Sequence, residues 1–544
     1  MISNAWRKAV TLVAVGSVIA ALAGCGHRVE GGGPSVPTYG GTLTFYDPVQ
    51  YAAWNPTNSL WSNSQVANNI GERLIWQDPQ SGEYRPWLAK SWTIGDGGLT
   101  YTFTLKDSIT FSDGTPLDSA VVKRNFDQHA LGDEKRGIVK DPFWSDYGGT
   151  QTPDAQTVVI RLTKPNAAFI QFLSNYRASS ILGNSYLDRD LNGQSELTNW
   201  VGTGPFVVES VNGINGVTLK RRDDYHWAPD GSQHQGKAYL DRIVFKTVGE
   251  GGVRVGALQT GDAQIARNIA PYDEASIAEA GGRLLAVPVQ GETNDLTATL
   301  NEYSPISDRR VRLALQAATD REAINATVLS PSYPIPTGAL VKGTPLRANS
   351  SRYFTYDPVE ARRLLDGAGW KVGADGIRVK DGERLSIPLR VAPYYQVSQS
   401  VLEVLQSQWR KAGVEVTLTS PSLTEYEAQA AEGKDWFLTQ GQNSTAEAGV
   451  LGISYGSDRQ NVLKQLPVDK RLDELIAAQA AASDPAERTK RIADLEDYIF
   501  SQGYSIPLYD ETQVFGLAPN VHGFTTESTA RSWLYDTWLT QGGN

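Results

Sequence analysis

The chain has 544 residues, 40% hydrophobic and 20% charged, with a net charge of −10. That length exceeds one ordinary core, so two or three domains are expected, and the acidic balance argues against nucleic acid as a partner. A single cysteine excludes an internal disulfide, while 14 Trp and 23 Tyr suit both a large core and aromatic walls for an organic ligand.

Arg7 and Lys8 precede an apolar run of mostly small residues, Ala9 to Ala21. Charge, a short apolar core and then small residues form the layout of a secretory signal. The run is shorter than the roughly 20 residues that a spanning helix needs. It ends in Leu22-Ala23-Gly24-Cys25, which resembles the lipobox of bacterial lipoproteins. The resemblance implies that 1–24 is a signal peptide and that the Cys25 thiol carries a diacylglycerol, whose two chains hold a membrane more firmly than one. A small buried cysteine in a retained helix is the alternative. Residues 25–40 are rich in Gly, Pro and Ser and read as a flexible tether.

From Gly41 to Tyr46 the alternation predicts a strand. Trp54 to Asn58 reads as a loop and Ser64 to Leu74 as a helix. Tyr101 to Leu105 and Thr157 to Leu162 alternate as strands, with a turn at Ser112-Asp113-Gly114-Thr115-Pro116. Asp118 is placed to cap a helix carrying Val121, Val122 and Phe126 on one side. Val253 to Leu258 begins a helix stopped by Gly261. Asp308 to Ala318 puts Val311, Leu315 and Ala318 on one face and Arg309 and Arg312 elsewhere. A helix starting at Pro358 precedes Gly367 and Gly369, Val401 to Ala412 is amphipathic, and Lys470 to Ser501 holds two helices split near Asp484-Pro485. Irregular alternation of strands and helices predicts a mixed α/β protein with more than one sheet.

Residues 87–127, WLAKSWTIGDGGLTYTFTLKDSITFSDGTPLDSAVVKRNFD, resemble the family 5 extracellular solute-binding proteins, the peptide- and nickel-type receptors of bacterial ABC importers. Further matches follow in order: Val201 to Phe206, Arg222 to Trp227, Ala257 to Ala263, Asp308 to Leu315, Asp320 to Ile324, Tyr356-Asp357-Pro358, Ala368-Gly369-Trp370 and Tyr504 to Tyr509. The resemblance implies a periplasmic-binding-protein-like type II fold, with two lobes joined by hinge strands and an appended third domain. Lobe one would take 41–78, 201–292 and 502–544, the appended domain 79–200, and lobe two 293–501. The implied function is capture of a small organic solute, peptide-like or otherwise, by a lipid-anchored extracytoplasmic monomer. An ABC permease with cytoplasmic ATPases is the implied partner, and neither a cofactor nor catalysis is needed. A sensory receptor of the same fold is a second reading.

Peptide-binding members of that family carry, in lobe two, a Trp followed three residues later by an Asp that pairs with the peptide's amino group. Gln440 and Asn443 stand at those positions here, and no acid occurs from Trp436 to Ala446. An amide supplies no charge for a buried ammonium, so unmodified peptides are not the expected ligand. Candidate ligand contacts are Leu60, Trp61, Trp436, Gln440, Gln442, Asn443, Tyr455 and Glu511, the last being a possible negative group from lobe one. Core packing is the plainer role for Trp61, and an exposed strand-end acid the plainer role for Glu511. Gly452-Ile453-Ser454-Tyr455-Gly456 has the Gly-x-Ser-x-Gly pattern, which raises a surface-anchored serine hydrolase using Ser454 with His522 as base. The following residues form a poor helix for a nucleophile elbow, so a Gly-rich cleft loop is the better expectation. His27, His129, His226, His234 and His522 lack metal-ligand spacing, and no metal is expected. His226 and His234 read as exposed loop residues.

Overall fold

The computed structural model describes residues 36–51, 54–56, 63–300, 304–432 and 437–540. Four of the eight sheets among the described residues frame the fold. The largest is a seven-stranded mixed sheet with strands in the order Arg283–Pro288, Thr512–Leu517, Ile265–Arg267, Thr42–Asp47, Arg242–Thr247, Gly216–Arg221 and Phe206–Val211. Its first strand, in chain order, has the expected period of two: Leu43 and Phe45 are fully buried, and Phe45 packs on Phe245 of the adjacent parallel strand. Asp47 closes the same inward row. Its carboxylate pairs with the buried Arg267 guanidinium at 2.7 Å, which in turn donates to Gln513 Oε1 at 2.6 Å.

A four-stranded antiparallel sheet runs Ala89–Gly95, Thr100–Leu105, Thr157–Leu162 and Tyr147–Gln151. Tyr101, Phe103 and Leu105 face inward with Val158, Ile160 and Leu162, as their alternation predicts. The helix Ser119–Leu131 covers that sheet, and Asp118 caps it by accepting from Val121 N at 2.9 Å. A three-stranded sheet, Leu438–Gly441, Asn294–Ala298 and Ser505–Tyr509, and a parallel pair, Ser386–Arg390 with Glu415–Thr419, lie among the helices of residues 309–501. Two separate apolar clusters result. One contains Phe45, Trp87, Phe103, Phe126 and Trp533; the other contains Leu296, Leu315, Trp409, Leu495 and Phe500.

Two stretches of chain connect the seven-stranded and three-stranded sheets. Arg283–Pro288 continues through Val289 to Thr293 into Asn294–Ala298, and Ser505–Tyr509 continues through Asp510 and Glu511 into Thr512–Leu517. They touch as they pass, with Val289 N donating to Glu511 O at 2.8 Å.

The helix expected over Ser64 to Leu74 is only Ser64–Ala67. Asn68 and Asn69 donate their side-chain amides to Ser532 O, which ties the turn after this helix to the far end of the chain. The loop expected at 452–456 belongs largely to the helix Val450–Tyr455. Arg312, expected off the apolar face of the helix Arg309–Ala317, is buried and donates to the carbonyls of Ile306, Ser307 and Gln502.

Candidate functional site

The three-stranded sheet and the two connections gather buried polar groups. Asn294 bridges two of the candidates: its Oδ1 accepts from Gln440 Nε2 at 2.8 Å, and its Nδ2 donates to Glu511 Oε2 at 3.2 Å. Ser398 Oγ donates to Gln440 Oε1, so the Gln440 amide is engaged at both ends. Gln442 Nε2 donates to Val289 O at 3.0 Å. Asn443 Nδ2 reaches Ser454 Oγ at 2.7 Å and Gln460 Oε1 at 3.0 Å, while its backbone N donates to Glu292 Oε2 at 3.2 Å.

Acids crowd these connections. Burial, aided by the charge of Asp295, lifts the Glu292 carboxyl to about 8. Burial lifts Asp295 to about 7 against hydrogen bonds from Ser505 and Thr297, and Glu511 to about 7 against the bond from Asn294. Asp510 rises to about 6 for the same reason. Tyr455 is buried beside Asp295 and Glu292, which push its phenol further up. Glu511 is therefore buried, not an exposed strand-end acid.

A second gathering lies where four distant stretches meet. Arg73 precedes the strand Ile75–Gln77 and Gln77 ends it, Gln171 belongs to the helix Phe169–Phe172, Ala446 follows the strand Leu438–Gly441, and Glu527 to Thr529 precede Ser532–Trp533; together they line a pocket. Arg73 is fully buried and stacks on Trp87, its guanidinium carbon 4.5 Å from the ring centroid. It donates from Nε to Ser174 O at 3.2 Å and from Nη1 to Asn68 Oδ1 at 2.6 Å. Burial draws its pKa down to about 10, against the opposing charges of Glu527 and Glu72. Sequence reading missed Arg73, Gln171 and Glu527. The only signal was a charged pair, Glu72-Arg73, set directly before the apolar Leu74-Ile75-Trp76.

Several contacts join the 79–200 stretch, or residues just before it, to residues 446–480. Gln77 Nε2 donates to Ala446 O at 3.2 Å, and Ala167 N to Ala480 O at 3.1 Å. Arg459 Nη2 reaches both oxygens of the buried Asp146 at 2.9 Å.

Cys25, Leu60, Trp61 and Trp436 lie outside the described residues. Ser454 sits near the end of the helix Val450–Tyr455, where a nucleophile elbow needs the serine between a strand and the start of a helix. His522 stacks instead on Trp538, at 4.3 Å between centroids, so the hydrolase alternative has no support. His234, read as an exposed loop residue, is mostly buried: its Nδ1 lies 2.9 Å from Asp536 Oδ1 and its ring stacks on Tyr535. Among the described residues no group of His, Cys, Asp and Glu could hold a metal ion, and no helix is long and apolar enough to cross a membrane.

Residues 83–461 match the model of the bacterial extracellular solute-binding proteins, family 5. The glutathione-binding protein GsiB of Escherichia coli O1:K1 / APEC is 29% identical over 525 residues, covering 94% of this chain and 95% of GsiB. The structure of AgaA from A. tumefacien R10 in complex with agropinic acid superposes with a TM-score of 0.77 at 25% identity, covering 92% of this chain and 99% of AgaA. DppA from Helicobacter pylori, in complex with the peptide STSA, gives a TM-score of 0.77 at 19% identity, covering 93% and 99%. These neighbours share the mixed α/β fold of periplasmic binding proteins, and the relatives are binding proteins, not enzymes.

Proposed function

Because the chain belongs to the bacterial extracellular solute-binding proteins, family 5, we propose that it is the capture component of an ABC importer. It takes a small organic solute between two lobes and delivers it to a membrane permease whose cytoplasmic ATPases supply the energy. Lobe one is 41–78 with 201–292 and 510–544, lobe two is 293–509, and 79–200 is the appended domain; the boundary expected at 502 moves to 510 because Ser505–Tyr509 pairs with Asn294–Ala298. A diacylglycerol on Cys25 anchors this monomer at the extracytoplasmic face. The observation that carries the reading is the pocket shared by Arg73, Gln171, Ala446 and Glu527, because those residues come from all three proposed parts. The two connections at 289–293 and 510–511 are then the hinge, and the ligand stabilises the closed form through its differential affinity for it.

The solute is peptide-like or another small organic molecule, in keeping with relatives and neighbours named for glutathione, agropinic acid and peptides. Unmodified peptides are disfavoured, since the Asn443 amide offers no charge to an ammonium and is engaged with Ser454 and Gln460. Native mass spectrometry of freshly purified protein should reveal a retained small molecule. Calorimetry with a peptide panel tests the class: sub-micromolar binding that is lost on acetylating the peptides' amino group would overturn the exclusion of unmodified peptides.

A further inference from the structure

Three polar groups that line the pocket beside Trp76 lack hydrogen-bond partners among the described residues: Arg73 Nη2, Ser528 Oγ and Gln171 Oε1. All three side chains are more than nine-tenths buried. An unmade hydrogen bond on a buried cation is among the costlier defects a fold can carry, and three such groups around one space call for a common cause. The placement of charge points the same way. Among the described residues Glu527 faces two buried guanidiniums, those of Arg73 and Arg531. Its Oε1 accepts from Arg531 Nη1 at 2.8 Å and from Thr529 Oγ1. Its Oε2 stands 3.8 Å from Arg73 Nη2, beyond hydrogen-bond reach. Glu72 lies behind Arg73 and is occupied by Tyr225, Trp87 and Trp227, which donate to it at 2.6 to 3.1 Å. The outer edge of Arg73 thus carries positive charge that no carboxylate among the described residues meets at hydrogen-bond distance.

We propose that this pocket is a carboxylate subsite, in which the Nη2 edge of Arg73 and the Ser528 hydroxyl receive an acidic end group of the captured solute. The inference rests on the capture reading above. A guanidinium edge is the natural partner of a carboxylate, and the bond is charge-assisted. The free space is about 10 Å³, room for one water-sized group. An acidic end group therefore enters as the walls, which come from all three proposed parts, draw apart, and the uncharged amides and hydroxyls of 439–446 lie on the chain leading to Ala446 at one wall. A solute with an acid at one end and no required ammonium satisfies both features.

The test compares glutarate with its uncharged diamide, glutaramide, on the full chain at matched ionic strength, read by tryptophan fluorescence and thermal unfolding. Glutarate is expected to bind at least about tenfold more tightly, the scale of a charge-assisted hydrogen bond. Arg73→Gln should abolish the difference, and Ser528→Ala should reduce it several-fold. Equal responses to acid and diamide on the unmodified chain overturn the proposal, whatever the variants do. A full glutarate response in a folded Arg73→Gln variant overturns it too. A retained native solute without any acidic group would sink the subsite and leave the capture reading standing, whereas a chain that neither retains nor closes on any solute would sink the capture reading itself.

Discussion

Glu292 shows how a single side chain ties the connecting strands to proton concentration. Its Oε2 accepts from Asn443 N, and its Oε1 has no partner among the described residues. Its folded pKa, about 8, lies above the ordinary 4.5. The folded chain therefore keeps a proton that the unfolded chain releases above about pH 4.5. The contribution to stability is complete below that pH and is lost as pH rises toward 8, with a slope of roughly 1.4 kcal/mol per pH unit for each such acid. Asp295 and Glu511 act in the same sense. The melting temperature should fall between pH 5.5 and 8, and Glu292→Gln should flatten that fall while raising stability at pH 8. An unchanged slope in the variant would remove Glu292 from the account. Cys25 is the other residue whose role is testable alone. Cys25→Ala should leave the protein without lipid and out of the membrane fraction, because no second thiol exists. A variant that still carries the mass of a diacylglycerol would refute the anchor.

At the scale of elements, caps and periods were legible where local chemistry decides them. The helices Lys470–Ala481 and Pro485–Ser501 divide near Asp484-Pro485 as read, with Asp484 capping the second. The strand Thr157–Leu162 has the predicted bounds. The expected helix from Ser64 is longer than the observed Ser64–Ala67, and the turn that follows is tied through the Asn68 and Asn69 amides to Ser532, 463 and 464 positions away, which no local pattern reveals. The connection at 289–293 is decided by close approach. Gly291 has φ +131°, and a Cβ there would stand 2.2 Å from Asn443 O. Gly291→Ala should therefore destabilise by more than ~1 kcal/mol, seen as a lower urea midpoint, with the Glu292–Asn443 backbone bond disturbed. A midpoint within error of the parent would show that the connection yields easily.

For the whole molecule, the proposed closure is the property to measure. Solution scattering should give a smaller radius of gyration once a retained solute is bound than after its removal. The Arg459–Asp146 pair joins stretches assigned to different parts, with Asp146 almost fully buried. Arg459→Ala should raise the radius and weaken solute retention several-fold, on the scale of losing a partly buried charge-assisted bond. An identical radius with and without solute would mean that binding occurs without closure.

By itself the sequence determined the alternating strands, the capped helices, the acidic net charge and, through ordered motifs from Trp87 to Tyr509, the family. Those signals are local, since a strand's period or a cap needs only a few neighbouring residues. The amides at Gln440 and Asn443 were also legible as a lack of charge. Only the tertiary structure decided what those amides touch, that Glu511 is buried, and that Arg73, Gln171, Ala446 and Glu527 share one pocket. Those residues are separated by tens to hundreds of positions. Whether a polar atom keeps a partner depends on which distant segments the fold brings beside it, and short-range periodicity carries no information about that.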